Sequence, residues 1–485
     1  MSGTHLQSCR MAVLATALLV ASTISGCALG PKGNAPEMPQ PEHYTDEATP
    51  AEVGAVDAAT VQHFKIGLRP VPKWWEAYGS TQLSEWVEEG LRNNYSLAQA
   101  SHNLNAAQEQ LRAQVGSTLY PSVDAVAQAE RQRALGLPGG GPQTSLYNVY
   151  AGEITASYTF DLFGVAAYAN SALAAQVDAQ SYQLDAARRA LASNLVIAAI
   201  QSAALHAQVG VTERLIALAE EDAAETQRRY ELGSASHGDL LNAQANAEAV
   251  RGALPGLLTQ WHSTRHALAV LMGRTPDAAP PDLDLAVLTL PQDVPVAVPS
   301  ELLKQRPDIL AAAAALKVAA AQEALATAEM FPSLSITASF GHAGYGVPAA
   351  ESGAGAVWGI GSSLLQPLFH GGALRARRNA AHDAYLAAQD NYRSTVLNAF
   401  QNVADSLSAL AHDADTLTAA ASQRRYGEQN WHEAAGRAAL GAAAPIAART
   451  GEKQFQNARL GEIRATSVRL VDTAVLFQAM GTVDR

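Results

Sequence analysis

Cysteine is almost missing from this 485-residue chain: Cys9 and Cys27 are the only two. With no further thiols downstream, neither a disulfide framework nor a Cys-ligated metal can organise the body of the chain. Aromatic residues are only 6% and charged residues only 16%. Basic residues are outnumbered, giving a net charge of −12, which argues against nucleic acid as a partner. Beyond the N-terminus no stretch reads as unbroken apolar sequence over the ~18 residues of a spanning helix, so no helical membrane span is expected. Phosphate-cradling glycine loops, nucleophile elbows and metal-ligand motifs are also lacking. His262 and His266 stand at i, i+4 with no third ligand evident, and read as a solvated helix face. An enzyme, a metal site and a non-covalent cofactor are therefore not expected.

What is present begins at the N-terminus. Residues 1–11 are polar with Arg10 as the one formal charge, 12–24 are apolar, and Ser25-Gly26 are small. That order is a secretory signal, and its apolar part is shorter than the ~20 residues of a span. Ile24, Ser25 and Gly26 before Cys27 resemble a bacterial lipobox. The resemblance implies cleavage after Gly26 and a diacylglyceryl group on the Cys27 thiol, followed by acylation of the new N-terminus. Several acyl chains at ~0.8 kcal/mol per buried CH₂ give stable anchoring. Ala28, where an aspartate would signal retention at the inner membrane, is compatible with the outer one. A plain signal peptide with a free Cys27 is the alternative.

Residues 27–73 are proline-rich with little apolar periodicity and read as an extended tether. The rest repeats one plan. "TLYPSVDAVAQ" (118–128) matches "EMFPSLSITAS" (329–339), "FDLFG" (160–164) matches "QPLFHGG" (366–372), and "RYELGSASHGDLLNAQ" (229–244) matches "RAALGAAAPIAARTGE" (437–452). The two copies cover 74–276 and 301–485, with a proline-rich crossover at 277–300.

Each copy holds two kinds of pattern. Leu334, Ile336, Ala338 and Phe340 alternate with Ser333, Ser335, Thr337 and Ser339, the period of a half-apolar strand. Strands are expected over 121–131 and 146–160, then 332–343 and 356–369. Long helices are expected over 165–232 and 236–272, then 373–440 and 444–480. Val396, Phe400, Val403, Leu407, Leu410, Ala414 and Leu417 space a coiled-coil seam. Each long helix ends at Leu-Gly, 232–233 and 440–441, where glycine suits a left-handed cap. Four strands cannot close a barrel, and an open edge is forbidden in lipid, so several chains must combine.

The chain resembles the outer membrane factors of tripartite efflux systems, the TolC-like channels, and more narrowly their NodT-type lipoprotein branch. The carriers are "GCALGP" (26–31), "WWEAYGSTQLSEWVEEGLRNN" (74–94), "LAVLMGRTP" (268–276), "VPSELLKQRPDI" (298–309) and "AEMFPSL" (328–334). The resemblance implies an α+β fold with internal duplication. Three copies would form a 12-stranded outer membrane β-barrel, four strands per chain, joined to a long periplasmic α-helical barrel with a mixed equatorial belt. It further implies a passive efflux duct for small toxic molecules. The partners would be a periplasmic adaptor, an inner membrane pump of the resistance-nodulation-division type, and outer membrane lipids.

By the same resemblance, the two helical turns meet the adaptor at the periplasmic tip, through Tyr230, Leu232, Gly233, Ser236, Asp239 and Leu241, and through Leu440, Gly441 and Pro445. The stretch "LGAAAPIAARTGE" (440–452) lacks the acids usual at such a gate. Carboxylates are expected near Ala447 and Thr450, so Arg449 or Glu452, or His237 and Asp239 of the first turn, are the gate candidates. The competing reading is a lipoprotein scaffold with a long coiled coil and no pore.

Overall fold

The computed structural model describes residues 29–39, 41–45, 50–54, 61–68, 72–135, 144–352 and 355–481; Gly26 and Cys27 lie outside them. In chain order the elements are β1 (Glu52–Val53), β2 (Gln62–Ile66), α1 (Thr81–Asn93), α2 (Tyr95–Leu119), β3 (Ser122–Leu135), β4 (Thr144–Phe160), α3 (Val165–Glu231) and α4 (His237–Leu271). There follow β5 (Asp293–Val296), α5 (Pro299–Gln305), α6 (Pro307–Ala328), β6 (Ser333–Tyr345), α7 (Val347–Glu351), β7 (Ala356–Leu365), α8 (Ala373–Ala439) and α9 (Pro445–Ala479). The chain forms two compact units.

One unit draws on the N-terminal stretch to Pro36, Asn105–Ala179 and Ala313–Tyr392. Its centre is an antiparallel sheet of order β3-β4-β6-β7. The register assembles the period-two sequence into two faces. On one, Val123, Ala156, Ala338 and Ile360 lie in a row, and Ala125, Ile154, Phe340 and Trp358 in the next. On the other, Asp124, Thr155, Ser339 and Gly359 share a row, and Ser122 meets Ser157 at 2.8 Å between hydroxyls. β7 stops at Leu365, four residues short of the expected end. Pro367, which has no N–H to donate, stands just beyond. At the start of the chain, the Leu29 N–H donates to the Tyr168 hydroxyl at 3.1 Å.

The second unit comprises Glu37–Leu104, Gln180–Ala312 and Arg393–Arg485. Its core gathers Trp74, Trp75, Tyr78, Leu83, Leu195, Ile200, Leu268, Met272, Leu470 and Phe477. Trp74 stacks on Phe477 at 5.1 Å, and the buried Tyr78 hydroxyl donates to the Leu470 carbonyl at 2.8 Å. The proline-rich stretches hold more structure than an extended tether and a crossover. β1 pairs antiparallel with β2, and β2 pairs parallel with β5. Gln62 and Phe64 are buried, so this short strand has an inward face that the surrounding prolines hid.

The two long helices, α3 and α8, each hold 67 residues, about 100 Å at 1.5 Å per residue. Val396, Val403, Leu407, Leu410 and Ala414 of the seam are buried. One expectation is corrected: α3 and α6 each contain an 18-residue window apolar enough to cross a membrane, 67% and 50% buried within the chain respectively. Alanine raises the hydropathy of both helices without making a continuous greasy run, and half or more of each window is packed inside the chain.

Candidate functional site

Two regions bear the features that function needs: the sheet and the two helical turns. On the apolar face of the sheet the large side chains are bare, with Trp358 76% and Ile360 75% exposed. Apolar side chains alternating with polar ones at this exposure suit a wall with lipid on one side and water on the other. The polar face carries the carboxylates of Asp124, Glu130 and Glu153, and no lysine or arginine among the described residues.

The turn between α3 and α4 is a Schellman motif. The Ser234 N–H donates to the Arg229 carbonyl at 2.7 Å and the Gly233 N–H to that of Tyr230 at 2.9 Å. Gly233 has φ +75°, which glycine adopts without a Cβ clash. The turn between α8 and α9 copies it: Ala442 N–H to Arg437 at 2.9 Å, Gly441 N–H to Ala438 at 3.0 Å, and Gly441 at φ +72°.

The helices leaving the turns start differently. Ser236 and Asp239 form a reciprocal capping box on α4, each backbone N–H bonding the other's side chain at 3.0 Å. The Ser236 hydroxyl, at 2.8 Å, and the Ser236 N–H both donate to the Asp239 carboxylate and hold its pKa below the ordinary value. α9 begins at Ala444 without a side-chain cap and with Pro445 in its first turn, where a missing N–H costs nothing.

The tip candidates divide into two groups. Leu232 and Leu440 project at 83% and 86% exposure, and Tyr230 and Leu241 are exposed as well. Tyr230 lies against His237 with ring centroids 5.6 Å apart. Ala447 and Thr450 are exposed on α9, with the Thr450 hydroxyl turned back to the Ile446 carbonyl. Arg449 and Glu452 face α3 of the same chain. Arg449 and Lys453 both pair with Asp222, and Glu452 accepts two bonds from Arg214, at 2.7 and 2.9 Å. Burial raises the Asp222 pKa, but the hydrogen bonds from Lys453 and Arg449 outweigh it, and the net shift is downward. Sequence reasoning missed Asp222 and Arg214, because on a long helix nothing in the local pattern marks which charges meet a helix more than two hundred residues away.

His262 and His266 stack at 6.4 Å, and among the described residues no three His, Cys, Asp or Glu side chains gather as metal ligands. Arg306 does more than start a helix: besides pairing with Asp308 it donates to the Ala399 and Ala479 carbonyls.

Comparison with known proteins agrees with this architecture. Residues 86–274 and 298–482 match the family described as outer membrane efflux protein, so the two matched stretches coincide with the two copies. Nodulation protein T of Rhizobium leguminosarum bv. viciae is 27% identical over 400 residues, covering 81% of this chain and 77% of that protein. Outer membrane protein OprJ of Pseudomonas aeruginosa is 29% identical over 412 residues, covering 83% and 81%. The Campylobacter jejuni CmeC outer membrane channel superposes with a TM-score of 0.82 at 22% identity, over 95% of this chain and 96% of that one; this likeness concerns the fold. The chain belongs to the outer membrane efflux protein family, a family of channels rather than enzymes, and is an efflux channel of the outer membrane with a mostly periplasmic helical part.

Proposed function

We propose that three copies close one duct: a 12-stranded barrel in the outer membrane continued by a helical tunnel. The observation that carries this reading is the sheet itself. One face is apolar and bare, the other is polar, and β3 and β7 end it without further partners among the described residues. Unpaired strand edges are not tolerated in hydrocarbon, and eight strands is the lower limit of known outer membrane barrels. On this reading Cys27 carries the lipid, with no other cofactor, and tethers the subunit to the membrane it spans.

The projecting Leu232, Leu440 and Tyr230, with Gly233, Ser236, Asp239, Leu241, Gly441 and Pro445 shaping the two turns, would receive the helical hairpins of a periplasmic adaptor. The adaptor in turn would join an inner membrane pump of the resistance-nodulation-division type. His237, Asp239, Ala447 and Thr450 would border the constriction, and Arg449 and Glu452 would set its width through their pairs to α3. Cargo would be small toxic molecules selected upstream, by the pump and the adaptor.

The test is the native mass of the detergent-purified mature protein, corrected for detergent. Three times the chain mass, 50.8 kDa before processing, is the expected result. A monomer that stays in solution without detergent after Cys27→Ser would instead favour the pore-free scaffold.

A further inference from the structure

The two open edges of the sheet are related by the duplication, and the relation fixes how they fit. Val165 of α3 maps onto Ala373 of α8 and Glu231 onto Ala439, 208 positions on in each case. Gly164 and Gly372, which precede these helices, share φ +84° and accept equivalent bonds from Tyr168 and Ala376. Tyr120-Pro121-Ser122 before β3 maps onto Phe331-Pro332-Ser333 before β6, 211 positions on. These two shifts carry the β3–β4 hairpin onto the β6–β7 hairpin in register. Ser122 faces Ser157 in the first; its transported pair, Ser333 with Leu365, is the one observed in the second.

The same two shifts apply to the remaining contact, β4 with β6. β4 becomes β7, and β6 becomes β3. We infer that β7 of one copy pairs antiparallel with β3 of the next in the register that β4 keeps with β6, setting Ser362 opposite Ala129, Ser363 opposite Gln128, Leu364 opposite Ala127 and Gly361 opposite Glu130. The template pairs are Ile154–Phe340, Thr155–Ser339, Ala156–Ala338 and Glu153–Gly341. The inference rests on the barrel-closure reading above and adds the partner surface and its alignment.

Three independent features agree with this register. First, it keeps the faces: Ser362, Leu364, Ala127 and Ala129 all lie on the apolar side, and Ser363, Gly361, Gln128 and Glu130 on the polar side, as pleating demands. Second, it repeats an acid-over-glycine pair. A Cβ on Gly341 would meet the β4 strand, at the Gly152 carbonyl oxygen and 2.6 Å from the Cα and Cβ of Glu153, whereas a Cβ on Gly361 would meet nothing within 4 Å. The strip over Gly361 is vacant in one chain, and Glu130 of the neighbour fills it as Glu153 fills its counterpart. Third, it sets the exposed Trp358 opposite Arg133, the transported version of Tyr150 with Gly344. A guanidinium over an indole at the rim is a favourable cation–π contact.

Paired cysteines in the full-length protein, expressed in outer membranes and oxidised there, test the alignment. The pairs are Ser362→Cys with Ala129→Cys, Ser363→Cys with Gln128→Cys, and, as the slipped control, Ser362→Cys with Ala127→Cys. The first two sample both classes of antiparallel site, hydrogen-bonded and non-hydrogen-bonded. Each reduced variant is sized in detergent, so that misfolding is seen as loss of the oligomer. The expected result is covalent dimers and trimers from at least one of the first two pairs, at least about fivefold over the control, since a two-residue slip shifts the partner by ~7 Å along the strand, which takes it out of disulfide reach. Three-copy oligomers in which the control links best, or in which no pair links, overturn the register and leave barrel closure standing. A monomeric parent protein overturns closure and the inference together.

Discussion

Arg469 of α9 is 1% exposed, a cation held out of water. Its guanidinium donates to the Leu410 carbonyl of α8 at 3.0 Å and to the Val53 carbonyl of β1 at 3.2 Å. Burial lowers its pKa, and the charge of Asp413 works against that. Asp413 in turn is pushed up to about 6, by burial first and then by the hydrogen bond and charge of Asp472; Arg469 and His412 pull it back down. A carboxyl raised from its ordinary value stabilises the fold most below its unfolded pKa and loses that contribution as pH climbs through the folded value. The seam around Asp413 should therefore weaken between about pH 4 and pH 6. Asp413→Asn is expected to flatten the dependence of melting temperature on pH over that window and to raise it slightly at pH 7.5. Because the carboxyl is partly exposed, screening limits the gain to less than about 1 kcal/mol. An unchanged pH profile in the variant would show that Asp413 is not the group that titrates in that window. None of this was legible in the sequence. Asp413 reads as a polar position beside the seam residue Ala414, and nothing local announces a carboxylate across from it on a returning helix.

At the scale of elements, legibility followed how local each signal was. Both helical turns were readable because Leu-Gly followed by a cap or a proline is chemistry contained in a few residues. All four long helices start and end within one residue of the expected bounds, for the same reason that α8 shows its seam: the pattern repeats along its own length. β2 was not readable, because its partner β5 lies more than two hundred residues away and parallel pairing leaves no turn signal between them. The strands of the membrane sheet were readable as alternation, and only pairing revealed which acids share a face. With Asp124, Glu130 and Glu153 on the polar side and no base among its described residues, the barrel interior is expected to favour cations. In planar bilayers under a salt gradient the reversal potential should report cation selectivity, and Glu153→Lys should move it towards anions. Anion selectivity in the parent protein would place these acids somewhere other than the conducting path.

For the whole molecule the decisive links are those that tie one copy of the repeat to the other near the turns. Arg449 and Lys453 of α9 both reach Asp222 of α3, and Glu452 reaches Arg214. A single carboxylate thus holds two cations of the other copy, and it is the least replaceable member of the set, because losing it leaves two positive charges facing each other. Arg449 is less than one-fifth exposed, so this cluster is screened less than a surface pair would be. The shift of Asp222 is downward; its contribution is therefore present above the ordinary carboxylate range and lost as pH falls through the folded value. Neutral conditions keep the pair made, and strong acid releases it. Asp222→Asn should release it at neutral pH as well. If these pairs set the width of the constriction, the variant should conduct more per channel in planar bilayers than the parent protein does, with the three-copy mass unchanged. Equal conductance in an intact oligomer would show that α3 and α9 are merely packed there. The narrowing would then belong to the exposed residues of the turns, Asp239 with His237 on one side and Ala447 with Thr450 on the other.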